Sequence, residues 1–139
     1  MKITIGSDHA GLEYKSEIKQ FLKNEGHTVL DVGTHTKDSV DYPDYAHQVA
    51  ENILLDSDFG VLICGSGNGV SMAANKHPGV RAAICWNREI SKLARNHNNA
   101  NIVSIPARFI TLKESINIIG VFIQEGFDGG RHTKRVNKI

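Results

Sequence analysis

The 139-residue sequence has few of the features that mark several large protein classes. Its two cysteines are too few for the disulfide framework of a small secreted domain. No apolar run approaches the roughly 18 residues that predict a membrane-spanning helix. The formal net charge is +1, so no broad basic surface for nucleic acid is expected. These absences favour a single domain spanning residues 1–139 that binds a small molecule, with no membrane or nucleic-acid partner.

The first residues bear on the cellular compartment, and the spacing of the histidines and cysteines bears on metal binding. Met1-Lys2-Ile3-Thr4-Ile5 begins as an apolar strand, without the pattern of a signal peptide. We therefore expect a reducing, cytoplasmic environment. The seven histidines show no H-x3-H spacing and the cysteines no Cys-x2-Cys spacing, so no metal site is expected.

Short apolar segments alternate with amphipathic ones along the whole chain. The predicted strands cover residues 3–6, 28–32, 59–64, 80–85 and 102–105. A helix follows each of the first three strands, Asn87 caps a helix to about Arg95, and Thr111 with Glu114 forms a capping box. This order predicts an α/β fold, a three-layer α/β/α Rossmann-like arrangement with a five-stranded parallel sheet. Ligands bind beyond the carboxyl ends of such strands.

The segment from Val61 to Val70 carries the most chemical information. An apolar run ends in Cys64 and opens into Gly65, Ser66, Gly67, Asn68 and Gly69 before a new helix. Glycines let the backbone approach a ligand, and the N–H groups at the start of a helix favour a phosphate or an oxyanion. The same field is expected to lower the pKa of the thiol, which makes Cys64 a candidate base or nucleophile. The alternative is that Cys64 is a core residue and the glycines only turn the chain.

The spacing of this loop excludes three familiar phosphate-binding motifs. A dinucleotide fingerprint starting at Gly65 requires glycine where Val70 stands. A Walker loop requires Gly-Lys-Ser/Thr, which Val70 and Ser71 do not supply. A C-x5-R phosphatase requires arginine at position 70.

Further polar residues lie near the predicted strand ends, and each has a structural alternative. Asp8 and His9 follow the first strand and also suit a helix cap. His97 and Asn98 come at the end of the fourth predicted helix, and the structural alternative for His97 is a polar helix end. Arg131 and Arg135 lie four residues apart, on one side of a helix if one forms, and would clamp a phosphate. The alternative to a phosphate clamp is that the basic tail over residues 126–139 is only solvated.

Taken together, these segments resemble the B-type ribose-5-phosphate isomerases, within the sugar-phosphate isomerase family that also contains the galactose-6-phosphate isomerase subunits. The similarity covers nearly the whole chain. It rests on Gly6-Ser7-Asp8-His9-Ala10-Gly11, Asp41-Tyr42-Pro43, Ile63 to Gly69, Ala74-Asn75-Lys76, Arg95-Asn96-His97-Asn98, and Gly129-Gly130-Arg131-His132 with Arg135.

The resemblance assigns expected roles to the matching positions. Cys64 matches the proton-abstracting base of the cysteine-using branch, because Val70 stands where another branch has a glutamate. His97 matches the residue that opens the furanose ring. The matching substrate-binding positions are Asp8, His9, Gly65, Ser66, Gly67, Asn68, Gly69, Asn98, Arg108, Arg131 and Arg135. Ser66 replaces a frequent threonine and keeps its hydroxyl, and Pro106 departs from the usual glycine-rich stretch before Arg108.

The resemblance implies an aldose–ketose isomerase that interconverts ribose 5-phosphate and ribulose 5-phosphate through an enediolate, in the non-oxidative pentose phosphate pathway, without cofactor or metal. It also implies a homodimer or a dimer of dimers, with the site between chains. A six-carbon substrate such as allose 6-phosphate or galactose 6-phosphate is the nearest alternative. A hydrolase using Cys64 and His97, and a phosphosugar sensor on the same fold, are the other classes.

Overall fold

The computed structural model describes residues 1–139, in which strands and helices alternate as predicted. The strands are β1 (Lys2–Ser7), β2 (Thr28–Asp31), β3 (Phe59–Cys64), β4 (Ala82–Ile84) and β5 (Ile102–Pro106). The helices are α1 (Leu12–Asn24), α2 (Tyr42–Leu55), α3 (Asn68–Ala74), α4 (Arg88–Asn98), α5 (Leu112–Gln124) and α6 (Arg131–Val136), with a 3-10 turn at His9–Gly11. No helix has both the length and the hydrophobicity needed to span a membrane.

The five strands form one parallel sheet in the order β2-β1-β3-β5-β4, which confirms the predicted fold class. Cys64, the last residue of β3, lies opposite Pro106, the last residue of β5. The edge strand β4 is shorter than predicted. Val80 is not part of it, because its N–H donates to the carbonyl of His77 in a turn at 3.0 Å.

Helices cover both faces of the sheet, and alternate residues of the central strand β3 divide between them. Val61 and Ile63 pack with α1, α4 and α5 in the larger hydrophobic cluster, which includes Phe122. Leu62 and Cys64 face the opposite side, where they pack with α2 and α3. The chain thus forms the three layers expected for an α/β/α fold.

The direction of α4 determines where its last residues lie. The side chain of Asn87 accepts a hydrogen bond from the N–H of Ile90 at 2.9 Å, which confirms the predicted cap. The helix continues beyond Arg95 until Asn99, whose φ of 46° is left-handed and ends it. Because the chain then enters β5, the end of α4 lies beside the amino ends of the strands. From Ile102 to Pro106, β5 spans roughly 13 Å toward the carboxyl ends.

Candidate active site

Asp8 and Cys64 meet at the carboxyl end of the sheet because β1 and β3 are neighbouring strands. The Cys64 thiol donates a hydrogen bond to Oδ2 of Asp8, with an Sγ–O distance of 2.9 Å. The other carboxylate oxygen accepts from the N–H groups of Ala10 and Gly11 at 3.0 and 3.1 Å. Both side chains are buried, with exposed fractions of 6% for Asp8 and 8% for Cys64. Asp8 therefore caps the 3-10 turn and also holds the thiol.

The prediction that the loop lowers the pKa of Cys64 is wrong for this chain. Burial, the hydrogen bond to Asp8 and the charge of Asp8 raise the pKa of the thiol to about 11. The N–H groups of Gly65 and Gly67 oppose this change in pKa, as the sequence suggested, but their effect is smaller. A carboxylate beside a buried thiol favours its protonated form, so the thiol is neutral at pH 7.

A pocket of about 330 Å³ opens beside this pair. Its lining consists of Asp8, His9, Ala10, Cys64, Gly65, Ser66, Arg108 and Phe109. Six of these are predicted site residues, contributed by the loops that follow β1, β3 and β5. A larger groove of about 590 Å³ lies between α4 and α5, and it contains none of the predicted site residues. The chemistry of the lining, rather than cavity size, identifies the candidate site.

The backbone after β5 places Arg108 over the glycine loop. The N–H groups of Ala107 and Arg108 donate to the carbonyls of Cys64 and Gly65 at 2.9 and 3.1 Å. A Cβ at Gly65 would lie 3.2 Å from Cδ of Arg108. Glycine at this position therefore lets the arginine lie directly against the loop. Pro106 is accommodated as the last residue of β5.

Two other glycines give the loop its shape. Gly67 has φ of 77° and turns the chain into α3 in a conformation that favours glycine. A Cβ at Gly69 would lie 2.4 Å from Cζ of Tyr42, so the tyrosine ring packs against bare backbone. Asn68 and Gly69 begin α3, and the Asn68 N–H donates to Oγ of Ser66 at 3.3 Å.

His9 is fixed on one ring nitrogen and free on the other. The N–H of Val40 donates to Nδ1 of His9 at 3.3 Å. An accepting Nδ1 places the proton of a neutral imidazole on Nε2. His9 can therefore donate a hydrogen bond from Nε2 to an anionic group in the pocket.

The remaining predicted residues form a separate group at the amino end of the sheet. The rings of His97 and His132 stack with a centroid distance of 4.2 Å and an interplanar angle of 10°. Partial burial, and next the positive charges of His97 and Arg131, lower the pKa of His132. Arg131 and Arg135 belong to α6, so the predicted i, i+4 pair lies on one helical face.

Sequence reasoning missed two members of this group, Asp128 and His132. Ligand atoms of His97, Asp128 and His132 all lie within 4.8 Å of one another. Spacing rules gave no signal because these residues come from two segments separated by β5 and α5. Asn98 lies in the same last turn of α4, where its carbonyl accepts from Nε of Arg81 at 3.1 Å.

Comparisons with known proteins agree with the site chemistry. The family model for Ribose/Galactose Isomerase matches residues 3–139. Ribose-5-phosphate isomerase B of Escherichia coli is 40% identical over 99% of this chain and 93% of its own length. A Clostridium thermocellum ribose-5-phosphate isomerase B structure is 47% identical with a TM-score of 0.98, covering 99% of this chain and 94% of that one. The Mycoplasma genitalium enzyme with bound ribulose-5-phosphate is 44% identical with a TM-score of 0.95, covering 99% and 92%.

Proposed function

Because this chain belongs to the ribose/galactose isomerase family, we propose that it interconverts D-ribose 5-phosphate and D-ribulose 5-phosphate through an enediolate. The observation that carries this proposal is the buried Cys64–Asp8 pair in a pocket lined by Arg108 and the glycine loop. The reaction needs a base for the C2 proton, donors for the charge on O1, and a proton for C1. Each requirement has a candidate in the chain.

Cys64 acts as the base, but its thiolate is not formed in advance. With a pKa of about 11, about one thiol in 10⁴ is ionised at pH 7. Its hydrogen bond to Asp8 supplies a route to the thiolate, because the carboxylate accepts the thiol proton as the sugar binds. The thiolate then takes the C2 proton, and the resulting thiol returns that proton to C1.

The glycine loop stabilises the oxyanion of the enediolate. The N–H groups of Gly65 and Gly67 already lie close enough to Cys64 to lower the pKa of the thiol against the effect of Asp8. Donors fixed in this way contribute about 2.7–4 kcal/mol each to transition-state stabilisation in other enzymes. Ser66, at the pocket wall, adds a hydroxyl that can bond to the sugar.

A second copy of the chain completes the site. His97, Arg131 and Arg135 lie at the amino end of the sheet, whereas Cys64 ends β3 at the carboxyl end. Within one chain, the roughly 13 Å length of β5 separates the two groups. In a homodimer, the basic group of one protomer faces the thiol pocket of its partner. The two arginines then hold the phosphate, and His97 opens the furanose ring.

The surface around the pocket is suited to such a partner. Phe109 lines the pocket with 75% of its surface exposed. Large apolar side chains at the mouth of a polar pocket gain about 25 cal/mol for each Å² of apolar surface that a partner covers. This favours a homodimer, alone or within a dimer of dimers. We place the enzyme in the cytoplasm and in the non-oxidative pentose phosphate pathway.

One assay tests the proposed reaction directly. Purified protein is incubated with ribose 5-phosphate in EDTA, and ribulose 5-phosphate is measured against parallel samples with allose 6-phosphate and galactose 6-phosphate. We expect turnover to be fastest with the five-carbon substrate. Tight binding of ribose 5-phosphate without ketose formation would instead identify a sensor.

A further inference from the structure

Three side chains of metal-binding type lie close together at the amino end of the sheet. The ring nitrogens of His97 and His132 and a carboxylate oxygen of Asp128 lie within 4.8 Å of one another. No other trio of histidine, cysteine or acidic side chains in the chain meets this condition. Two imidazoles and one carboxylate, with water as the fourth ligand, are a common donor set for zinc.

The backbone brings these three residues together without help from an ion. The N–H of Asp128 donates to the carbonyl of Asn96 at 3.0 Å, and the side-chain amide of Asn96 donates to the carbonyl of Gly126 at 2.7 Å. Gly129 and Gly130 then have φ of 65° and 55°, which reverses the chain. The reversal brings His132, in the first turn of α6, against His97.

Metal binding requires the His97 ring to rotate out of its stack on His132, because an imidazole nitrogen binds a metal in the plane of its own ring and the two ring planes are nearly parallel. With metal–ligand bonds of about 2.1 Å, the ligand atoms of a tetrahedral site lie about 3.4 Å apart. The present limit of 4.8 Å therefore requires a closure of about 1.4 Å at most. Asp128 is exposed, so its side chain can rotate in solvent, and His97 is partly exposed, so its ring has room on one side to leave the stack.

We propose that His97, Asp128 and His132 form a binding site for a divalent metal ion of the zinc class. The nearby positive charges of Arg131 and Arg135 oppose a cation, so we expect weaker binding than in structural zinc sites. Imidazole nitrogen favours zinc, cobalt or nickel over magnesium or calcium. The ion occupies a ring nitrogen of His97 and is therefore an inhibitor. This last consequence rests on the proposed role of His97 in ring opening.

Calorimetric titration of the metal-free, full-length protein with zinc chloride tests the site. We expect one ion per chain, with binding at least tenfold weaker in Asp128→Asn and in His132→Gln. Asp128→Asn retains the backbone bond to Asn96, and its melting temperature checks the fold. Cys64→Ala is the matched control, because the Cys64–Asp8 pair is one competing zinc site, and it should bind as the wild type does. Unchanged binding in Asp128→Asn, or loss of binding in Cys64→Ala, would overturn the proposal.

The visible spectrum of bound cobalt and the inhibition of turnover by zinc provide two independent measurements. Cobalt bound by nitrogen and oxygen gives visible bands without a thiolate charge-transfer band, and the appearance of a thiolate band contradicts the site. Zinc should inhibit the wild type, and EDTA should restore its activity. The zinc concentration that halves turnover should be at least tenfold higher for Asp128→Asn. If zinc binds with this dependence on Asp128 but leaves turnover unchanged, the metal site stands and the proposed role of His97 fails.

Discussion

The two ends of the sheet differ in burial and charge. At the carboxyl end, the side chains of Cys64 and Asp8 are buried and bonded to each other. At the amino end, Arg131 and Arg135 are exposed, and they belong to a short helix that follows two left-handed glycines. The first region fixes a proton donor and acceptor, whereas the second presents positive charge outward. A pocket that holds the carboxylate of Asp8 and an exposed basic group are complementary in charge, which is why we propose that they meet across a dimer interface.

The largest expected effect comes from removing the thiol. Cys64→Ala should lower kcat by about 10²- to 10⁴-fold, because general-base steps contribute this much. Steady-state kinetics with ribose 5-phosphate gives the value. Cys85→Ala is the matched control, since Cys85 is also a buried free cysteine but lies outside the pocket. The thiol is excluded as the base if a folded Cys64→Ala protein turns over at the wild-type rate.

At the amino end, His97→Asn should lower kcat on the furanose by about 10²-fold. An open-chain aldose phosphate needs no ring opening, so the loss on that substrate should be much smaller. The ratio of the two rates separates ring opening from isomerisation. Equal losses on both substrates assign another role to His97.

The arginines of α6 should affect substrate capture. Arg131→Ala and Arg135→Ala should each lower kcat/KM for ribose 5-phosphate by roughly 10- to 150-fold, mainly through KM, because one charge-assisted phosphate contact contributes about 1.5–3 kcal/mol. Lys134→Ala is the control, since it removes a positive charge from the same helix. If all three variants behave alike at low salt, general charge rather than a phosphate clamp explains the basic group.

The smallest expected effect is a change in the reactivity of Cys64 when Asp8 is replaced. Burial of the thiol remains in Asp8→Asn, which keeps the cap but removes the charge that further raises the pKa, so this pKa should fall below about 11. The midpoint of alkylation by iodoacetamide, followed by mass spectrometry at Cys64, should move to lower pH by about one pH unit.

Turnover of the same variant should change in the opposite direction. If Asp8 accepts the thiol proton during the reaction, Asp8→Asn isomerises more slowly although its thiol is more reactive. A rise in both alkylation and turnover would show that Asp8 only suppresses the thiolate.

A raised cysteine pKa also makes the stability depend on pH. The unfolded thiol of Cys64 ionises near 9.0, whereas the folded thiol does so near 11. The folded state binds more protons in this range, so the free energy of unfolding falls as the pH rises from 9 to 11. Urea titrations should show a smaller fall for Cys64→Ala. Equal slopes for both proteins contradict the raised pKa.

Local features of the fold were predictable because their causes lie within a few residues. The end of β3 at Cys64 follows from the apolar run and the glycines after it, and the capping box of Thr111 and Glu114 is confirmed. The pKa of Cys64 was not predictable in the same way. It depends on Asp8, which is 56 residues away in the sequence and adjacent only because β1 pairs with β3.

The same reason explains the missed members of the basic group. His132 stacks on His97 because Gly129 and Gly130 reverse the chain beside the end of α4, and no spacing in the sequence indicates this contact. The position of His97 and Asn98 at the end of α4 is confirmed, although the sequence predicts the capped helix only to about Arg95, because its end depends on the left-handed conformation of Asn99.

The most direct test of a site shared between two chains uses dimers of defined composition. Two differently tagged chains, Cys64→Ala and His97→Asn, are coexpressed and the mixed dimer is isolated. In a shared site, one of its two sites retains both residues, so about half of the wild-type activity is expected. A mixed dimer of the wild type with the double variant should then be nearly inactive, because each site lacks one residue. The reverse pattern, an inactive first dimer and a half-active second one, would contradict the shared site.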